Sequence, residues 1–455
     1  MNKDSDKHKR IVRNRMIAIT AVVLFFVLVL LSLSFALYSA LGSLKGKGDG
    51  ASAPQNPEES STEEETVDIR GSFVPASSPV KEAEEEGDDI GEQFEEIVSN
   101  GEEMTPNALE IEERISKLTL EEKVAQLFFV TPESITGADT VTMAGDKTKE
   151  AIAKYHVGGI IYSSRNLLNP EQTKELLKNT AEYGKQGNGI PLFLGTDEEG
   201  GSITRLASNE EFHLEAADSP GKIGETGDPG EALKAGEQTG KYLKEYGFNL
   251  DFAPVADVRS GSSPEIGDRS FGSDGEAVSK MAESFAGGLN KEGIIACYKH
   301  FPGFGRADKN TDLEGVSITA TRDELSESDL IPYVENANAG NFMIMAGHMS
   351  FPNITGDDTP ASMSRMIITD YLKGELSFNG VVITDALNAG AIKGRYTSEA
   401  AAVNSLKAGA DMLLCPADFE AAYNGVLKAV ESGELSEDMI DRAVGRILNL
   451  KNRML

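Results

Sequence analysis

Beyond residue 107 the chain repeats one unit, a short apolar run followed by a segment whose apolar positions recur at helical spacing, and it does so eight times. The runs are VAQLFFV (124–130), GGIIYS (158–163), PLFLGTD (191–197), FNLDFAPVADV (248–258), IIACYKH (294–300), FMIMAGHMS (342–350), GVVITDA (380–386) and ADMLLCP (410–416). Between them lie segments such as PEQTKELLKNTAEYGKQG and SEAAAVNSLKAGA, whose apolar residues mark one face of a helix. Strands alternating with helices imply parallel pairing, and eight of them imply closure. The expected fold is α/β, a (β/α)8 TIM barrel spanning 107–455.

Such a barrel puts its chemistry where the βα loops converge, at the C-terminal ends of the strands. Polar residues stand there: Asp197 ends the third run, Lys299 and His300 the fifth, His348 the sixth and Asp385 the seventh. Each also has a purely structural reading. Asp385 could cap the helix expected from ALNAGAI, and His348 could be a core histidine with both ring nitrogens satisfied.

A formal net charge of −31 and the absence of Trp argue against nucleic-acid binding, because phosphate contacts need clustered Lys and Arg. Cys297 and Cys415 both lie inside apolar runs and read as buried reduced thiols rather than a disulfide or metal site. Glu198 and Glu199 of DEEGG read as isolated helix-start residues rather than a cation site.

The N-terminal part is of another kind. Residues 1–15 form a basic tail carrying Lys3, Lys7, Lys9, Arg10, Arg13 and Arg15, and 16–41 contains no charged residue and is long enough to cross a bilayer as a helix. Only Lys45 and Lys47 follow closely, so the N-terminus is expected in the cytoplasm and the remainder outside the cell. The apolar core of a cleaved signal peptide is shorter, about 7–15 residues, which favours an uncleaved single-pass membrane anchor. Residues 42–106, with NPEESSTEEET and KEAEEEGDDIGEQFEE, are too acidic and polar to bury a core and read as a disordered, extended linker.

In order, DEEGGSITRL (197–206), FAPVADV (252–258), IGDRSFG (266–272), KHFPGFG (299–305) and GVVITDAL (380–387) resemble the catalytic domain of family 3 glycoside hydrolases. The nearest branch is the single-domain bacterial exo-β-N-acetylglucosaminidases, and the resemblance covers essentially all of 107–455. The second domain of many family 3 β-glucosidases has no counterpart after the barrel. The resemblance implies that Asp385 is the nucleophile of a covalent glycosyl-enzyme, and that Asp197, Arg205, Arg269, Lys299 and His300 grip the non-reducing-end sugar. It calls for no metal or organic cofactor.

One loop departs from the family pattern. The acetylglucosaminidase branch reads KHFPGHG followed by Asp-Ser-His or Asp-Thr-His, whose His is the acid/base held by the Asp. Here Phe304 replaces the first His, Asn310 stands where the orienting Asp is expected, and Asp312 stands where the catalytic His is expected. The five histidines are His8, His156, His213, His300 and His348, so none lies in this loop. Three readings stand: Asp312 is the acid/base, its pKa raised by Asp385 at roughly 5–5.5 Å as in retaining enzymes; Asp308 serves instead; or the site binds glycan without turning it over. The function expected is a membrane-anchored, extracellular retaining β-glycosidase removing β-linked N-acetylglucosamine from peptidoglycan or muropeptide fragments. The alternatives are a cell-wall glycan-binding pseudoenzyme and a β-glucosidase or β-xylosidase.

Overall fold

The computed structural model describes residues 106–455 except 261, 262, 264 and 335–340. The basic tail, the apolar stretch 16–41 and the acidic linker up to 105 lie outside the described residues. Among the described residues no helix is long and apolar enough to cross a membrane.

Each apolar run supplies one strand: β1 Phe128–Val130, β2 Gly159–Ile161, β3 Phe193–Thr196, β4 Leu250–Asp251, β5 Ile295–Phe301, β6 Phe342–Ala346, β7 Val381–Thr384 and β8 Leu413–Leu414. They form one 8-stranded sheet in the order β7-β6-β5-β4-β3-β2-β1-β8, with parallel pairing throughout. A parallel bridge between Ile383 and Met412 joins β7 to β8. The Met412 N–H donates to Val382 O at 3.0 Å and the Thr384 N–H to Met412 O at 3.0 Å, which completes the circuit. Helices such as Pro170–Gln186, Pro229–Tyr246, Gly275–Lys291 and Ser398–Lys407 make the crossovers, and they start where the side chain of Asn169, Asp228, Asp274 or Thr397 accepts a backbone N–H of the first turn.

Two local expectations are corrected. The front of VAQLFFV is helical: Leu120–Gln126 forms a helix because Thr119 and Glu122 close a capping box, so only its last three residues are strand. Asp385 does not cap a helix either. The helix after β7 is Gly390–Lys393, with Ala389 at its N-cap.

The barrel interior is filled by alternating bulk and absence. The Phe129 ring occupies the room that side chains on β2 and β3 would take: a Cβ at Gly159 would meet Phe129 Cδ2 at 2.7 Å, and one at Gly195 would meet Cζ at 2.9 Å. The same ring stacks on Phe193 at 6.3 Å and meets Phe252 edge-on at 5.1 Å. At the opposite end from the βα loops, the C-terminal helix Glu437–Met454 sends Lys451 beneath the strands. Its Nζ donates to Gln126 Oε1 and to Gly158 O, both at 2.9 Å, and lies 4.7 Å from the Phe193 ring centre. With the interior packed and its lower end plugged, the loop face is left for chemistry.

Candidate active site

The loop after β3 carries Asp197, Glu198 and Glu199 in succession. Glu198 turns inward and accepts the backbone N–H groups of Arg205 (2.6 Å), Leu206 (3.0 Å) and Ala207 (3.0 Å), with the Tyr242 hydroxyl at 3.0 Å. Its own N–H donates to Asp251 Oδ1 at 2.9 Å at the end of β4. This buried carboxyl shapes the loop that presents Arg205, whose Nη2 reaches Asp197 Oδ2 at 3.4 Å.

Glu199 is a hub of charge. Arg269 grips it with Nε and Nη2, both at 2.8 Å, and Lys299 Nζ meets Glu199 Oε1 at 2.7 Å and Asp197 Oδ1 at 3.1 Å. Burial opposes its charge, but Lys299 and then Arg269 outweigh that and hold its pKa down at about 2. A buried carboxylate is tolerated when two cations and their hydrogen bonds replace water. Glu198 and Glu199 are therefore not isolated helix-start residues. Neither lies in a helix, and each has partners from other strands because the chain turns back at the Gly200–Ile203 bridge.

His300, at the end of β5, is held by Asp257. The His300 N–H donates to Asp257 Oδ1 at 3.1 Å and Nδ1 lies 2.8 Å from Oδ2; the Phe304 N–H adds a third bond to Oδ1 at 2.7 Å. Nδ1 faces Asp257, so Nε2 lies on the far side of the ring. Phe304 closes against this imidazole edge-on, with centroids 5.7 Å apart. His348 is the satisfied histidine expected of a core position: Nδ1 lies 2.8 Å from Ser362 Oγ and Nε2 3.0 Å from Ala386 O. Burial lowers its pKa against the pull of Asp385.

Asp385 follows β7, half-buried, with Oδ1 accepting the Ala386 N–H at 2.7 Å. Burial works against its charge, but His348, His300, the Ala386 N–H and Lys299 together keep its pKa below the ordinary carboxylate value. Asp312 behaves oppositely. Desolvation first and the charge of Asp385 second push its pKa up, despite His300, His348 and Arg269. The backbone around it is docked on the loop after β7, with Gly390 N–H donating to Asp312 O at 2.8 Å and Ala391 N–H to Thr311 O at 3.0 Å. Asn310 does not orient the Asp312 carboxyl, as the orienting Asp of the family pattern would. Its Oδ1 accepts the Asp312 backbone N–H at 2.8 Å. Asp308 and Asp312 are both exposed on this loop.

The expected site residues thus converge on one barrel mouth: Asp197, Arg205, Lys299 and Arg269 through shared carboxylates, and Asp385, Asp312 and His300 through mutual electrostatics. Sequence reasoning passed over Glu199 and Asp257, which bind three of the predicted residues. Both lie inside quoted motifs, DEEGG and FAPVADV, and the signal that could have found them is a carboxylate at a strand end facing unpaired cations. Cys297 and Cys415 are buried free thiols, as expected.

A carboxyl of lowered pKa and one of raised pKa, with Arg, Lys and His donors, on the loop face of an eight-stranded barrel, is an arrangement that barrel glycosidases use. Comparison with known proteins agrees. The family model for the glycosyl hydrolase family 3 N terminal domain matches residues 119–450, and the chain belongs to this family. It is 32% identical over 346 residues to "Beta-hexosaminidase LpqI" of Mycobacterium tuberculosis, an alignment covering 73% of this chain and 83% of that one. Among solved structures it is similar to a family 3 β-N-acetylglucosaminidase from Paenibacillus sp. str. FPU-7, with TM-score 0.70 and 34% identity, covering 74% of this chain and 63% of that one. The M. tuberculosis LpqI structure matches with TM-score 0.65 and 30% identity, over 74% of this chain and 94% of the other. The chain is a glycoside hydrolase of the β-N-acetylhexosaminidase type.

Proposed function

We propose that this protein is a membrane-anchored, outward-facing retaining β-N-acetylglucosaminidase acting on peptidoglycan or muropeptide fragments, with Asp385 as nucleophile and Asp312 as acid/base. The observation that carries the reading is the divergence of these two carboxyls, one held below and the other above the ordinary carboxylate value within one mouth. Two titratable groups pushed apart in this way take opposite roles. The sugar class is supported by the relatives' names, β-hexosaminidase and β-N-acetylglucosaminidase. The anchor and outward orientation rest on the uncharged stretch 16–41 and its basic flank.

In the first step an Asp385 oxygen attacks the anomeric carbon and forms a glycosyl ester. The bond to the leaving oxygen breaks as Asp312 supplies that oxygen's proton. In the second step Asp312 takes a proton from water, the water oxygen attacks the anomeric carbon, and Asp385 leaves as carboxylate. Asp197, Arg205, Arg269, Lys299 and His300 hold the sugar hydroxyls, and hydrogen bonds to them that strengthen in the transition state lower the barrier.

The test is turnover of an aryl β-N-acetylglucosaminide by the protein and by Asp385→Asn and Asp312→Ala. Asp385→Asn is expected to abolish turnover. Asp312→Ala is expected to lose about 10²–10⁴-fold on poor leaving groups and to regain rate on activated glycosides with added azide. Sugar binding without turnover by the parent protein, on the N-acetylglucosaminide and on glucoside and xyloside analogues, would mark a pseudoenzyme and end this reading.

A further inference from the structure

The loop that bears Asp312 is fastened from two sides. On one side it lies on the loop after β7, through the Gly390 and Ala391 N–H groups. On the other, the Asn310 amide forms a bridge: its Oδ1 accepts the Asp312 N–H at 2.8 Å, and its Nδ2 donates to Glu265 Oε2 at 3.0 Å. With one bond as acceptor and one as donor, the orientation of the amide is determined. Glu265 belongs to the loop after β4, which also carries Arg269, and the Arg269 Nη1 donates to the Glu265 carbonyl at 3.5 Å. The chain Asp312–Asn310–Glu265–Arg269 therefore joins the expected acid to the expected sugar grip through residues in neither role.

We infer that Glu265 is a positioning residue: acting through Asn310, it holds the Asp312 loop against the loop of Arg269, so that protonation of the leaving group depends on a carboxylate that does not touch substrate. The inference rests on the reading of Asp312 as acid/base. Asn310 stands where the family pattern has an Asp bonded to the catalytic residue itself, and here that position works one step back, on the backbone. A proton donor displaced by about 1 Å loses much of its effect, because proton transfer requires hydrogen-bond reach. The charge of Glu265 is not what matters, only an oxygen that accepts from Asn310.

The experiment measures kcat and KM of Glu265→Ala, Glu265→Gln and Asp312→Ala on two N-acetylglucosaminides, one with a poor alkyl leaving group and one with a dinitrophenyl group that departs unprotonated. Glu265→Ala is expected to lower kcat/KM about 10- to 100-fold on the alkyl glycoside, with a much smaller fall in kcat/KM on the dinitrophenyl glycoside. Glu265→Gln, which keeps the accepting oxygen, is expected to restore most of the loss. Asn310→Ala breaks the same bond from the other side and is expected to show the same leaving-group dependence if Glu265→Ala folds poorly. Equal losses of kcat/KM on both substrates, or no loss on either, overturn the inference while a leaving-group-dependent kcat/KM of Asp312→Ala leaves the acid assignment standing. An Asp312→Ala variant whose kcat/KM, which reports the leaving-group step alone, falls equally on both substrates overturns the acid assignment and the role of Glu265 with it.

Discussion

Glu199 holds a negative charge in the barrel mouth with almost no contact with water. Burial disfavours that charge, and the ion pairs to Lys299 and Arg269 more than compensate. Its pKa falls from the ordinary 4.5 to about 2, which is worth on the order of 3 kcal/mol of folded-state stability at neutral pH. The sign follows from proton binding. Between those two values the unfolded chain binds more protons at this group, so the contribution is complete above about 4.5 and is lost as pH falls toward 2. Glu199→Gln is expected to lower the unfolding free energy at pH 7, with the difference from the parent narrowing as pH drops through 4 to 3. Urea unfolding curves at several pH values decide it, and a difference independent of pH would show that the charge of Glu199 contributes nothing. The same substitution leaves Lys299 paired to Asp197 alone, so weaker sugar binding should accompany it.

Among the loops, the decisive contact is between the Asp312 segment and the start of the helix Gly390–Lys393. Their backbones approach so closely that a Cβ at Gly390 would lie 2.2 Å from Leu313 O and 2.7 Å from Asp312 O. Both obstacles are main-chain atoms and cannot swing aside as a flexible side chain does. Glycine is present here for close approach, not for an unusual φ. Gly390→Ala is expected to push the Asp312 loop away from Asp385, costing about 1–3 kcal/mol of stability by overpacking and about 10- to 100-fold in kcat on unactivated glycosides. Thermal unfolding and turnover check the two effects, and unchanged turnover would mean that the docked position of this loop is not needed for catalysis. Leu313, next to Asp312, is 78% exposed.

For the molecule as a whole, the lower end of the barrel depends on Lys451. Burial, and after it the positive charge of Arg114, drives the pKa of this amine well below its ordinary 10.5. From that depressed value up to about 10.5 the unfolded chain binds more protons than the folded one, so stability from this group grows as pH rises. Lys451→Met removes the titration along with the bonds to Gln126 and Gly158. The parent protein is expected to gain stability relative to Lys451→Met as pH is raised from 7 to 10. Urea midpoints for the two proteins that run parallel across that range would refute it.

Much of this protein was determined by sequence alone. Apolar runs alternating with amphipathic segments specified the strands, helices and barrel, since each pattern is a local demand on burial. The ends of the runs put Asp197, Lys299, His300 and Asp385 on the loop face, because the strand direction orders them. What the local pattern misread was also local: a capping box at Thr119 and Glu122 turned half of the first run into helix. The partners were decided by tertiary structure. Arg269 meets Glu199 across 70 residues, His300 meets Asp257 across 43, and Lys299 meets Asp197 across 102. No periodicity encodes such pairs, because they come from strands that are neighbours only once the sheet has paired and curved. The opposed pKa shifts of Asp385 and Asp312 arise in the same way, from the charges and partial desolvation that the barrel mouth brings around each, and neither exists in a chain that is still extended in water.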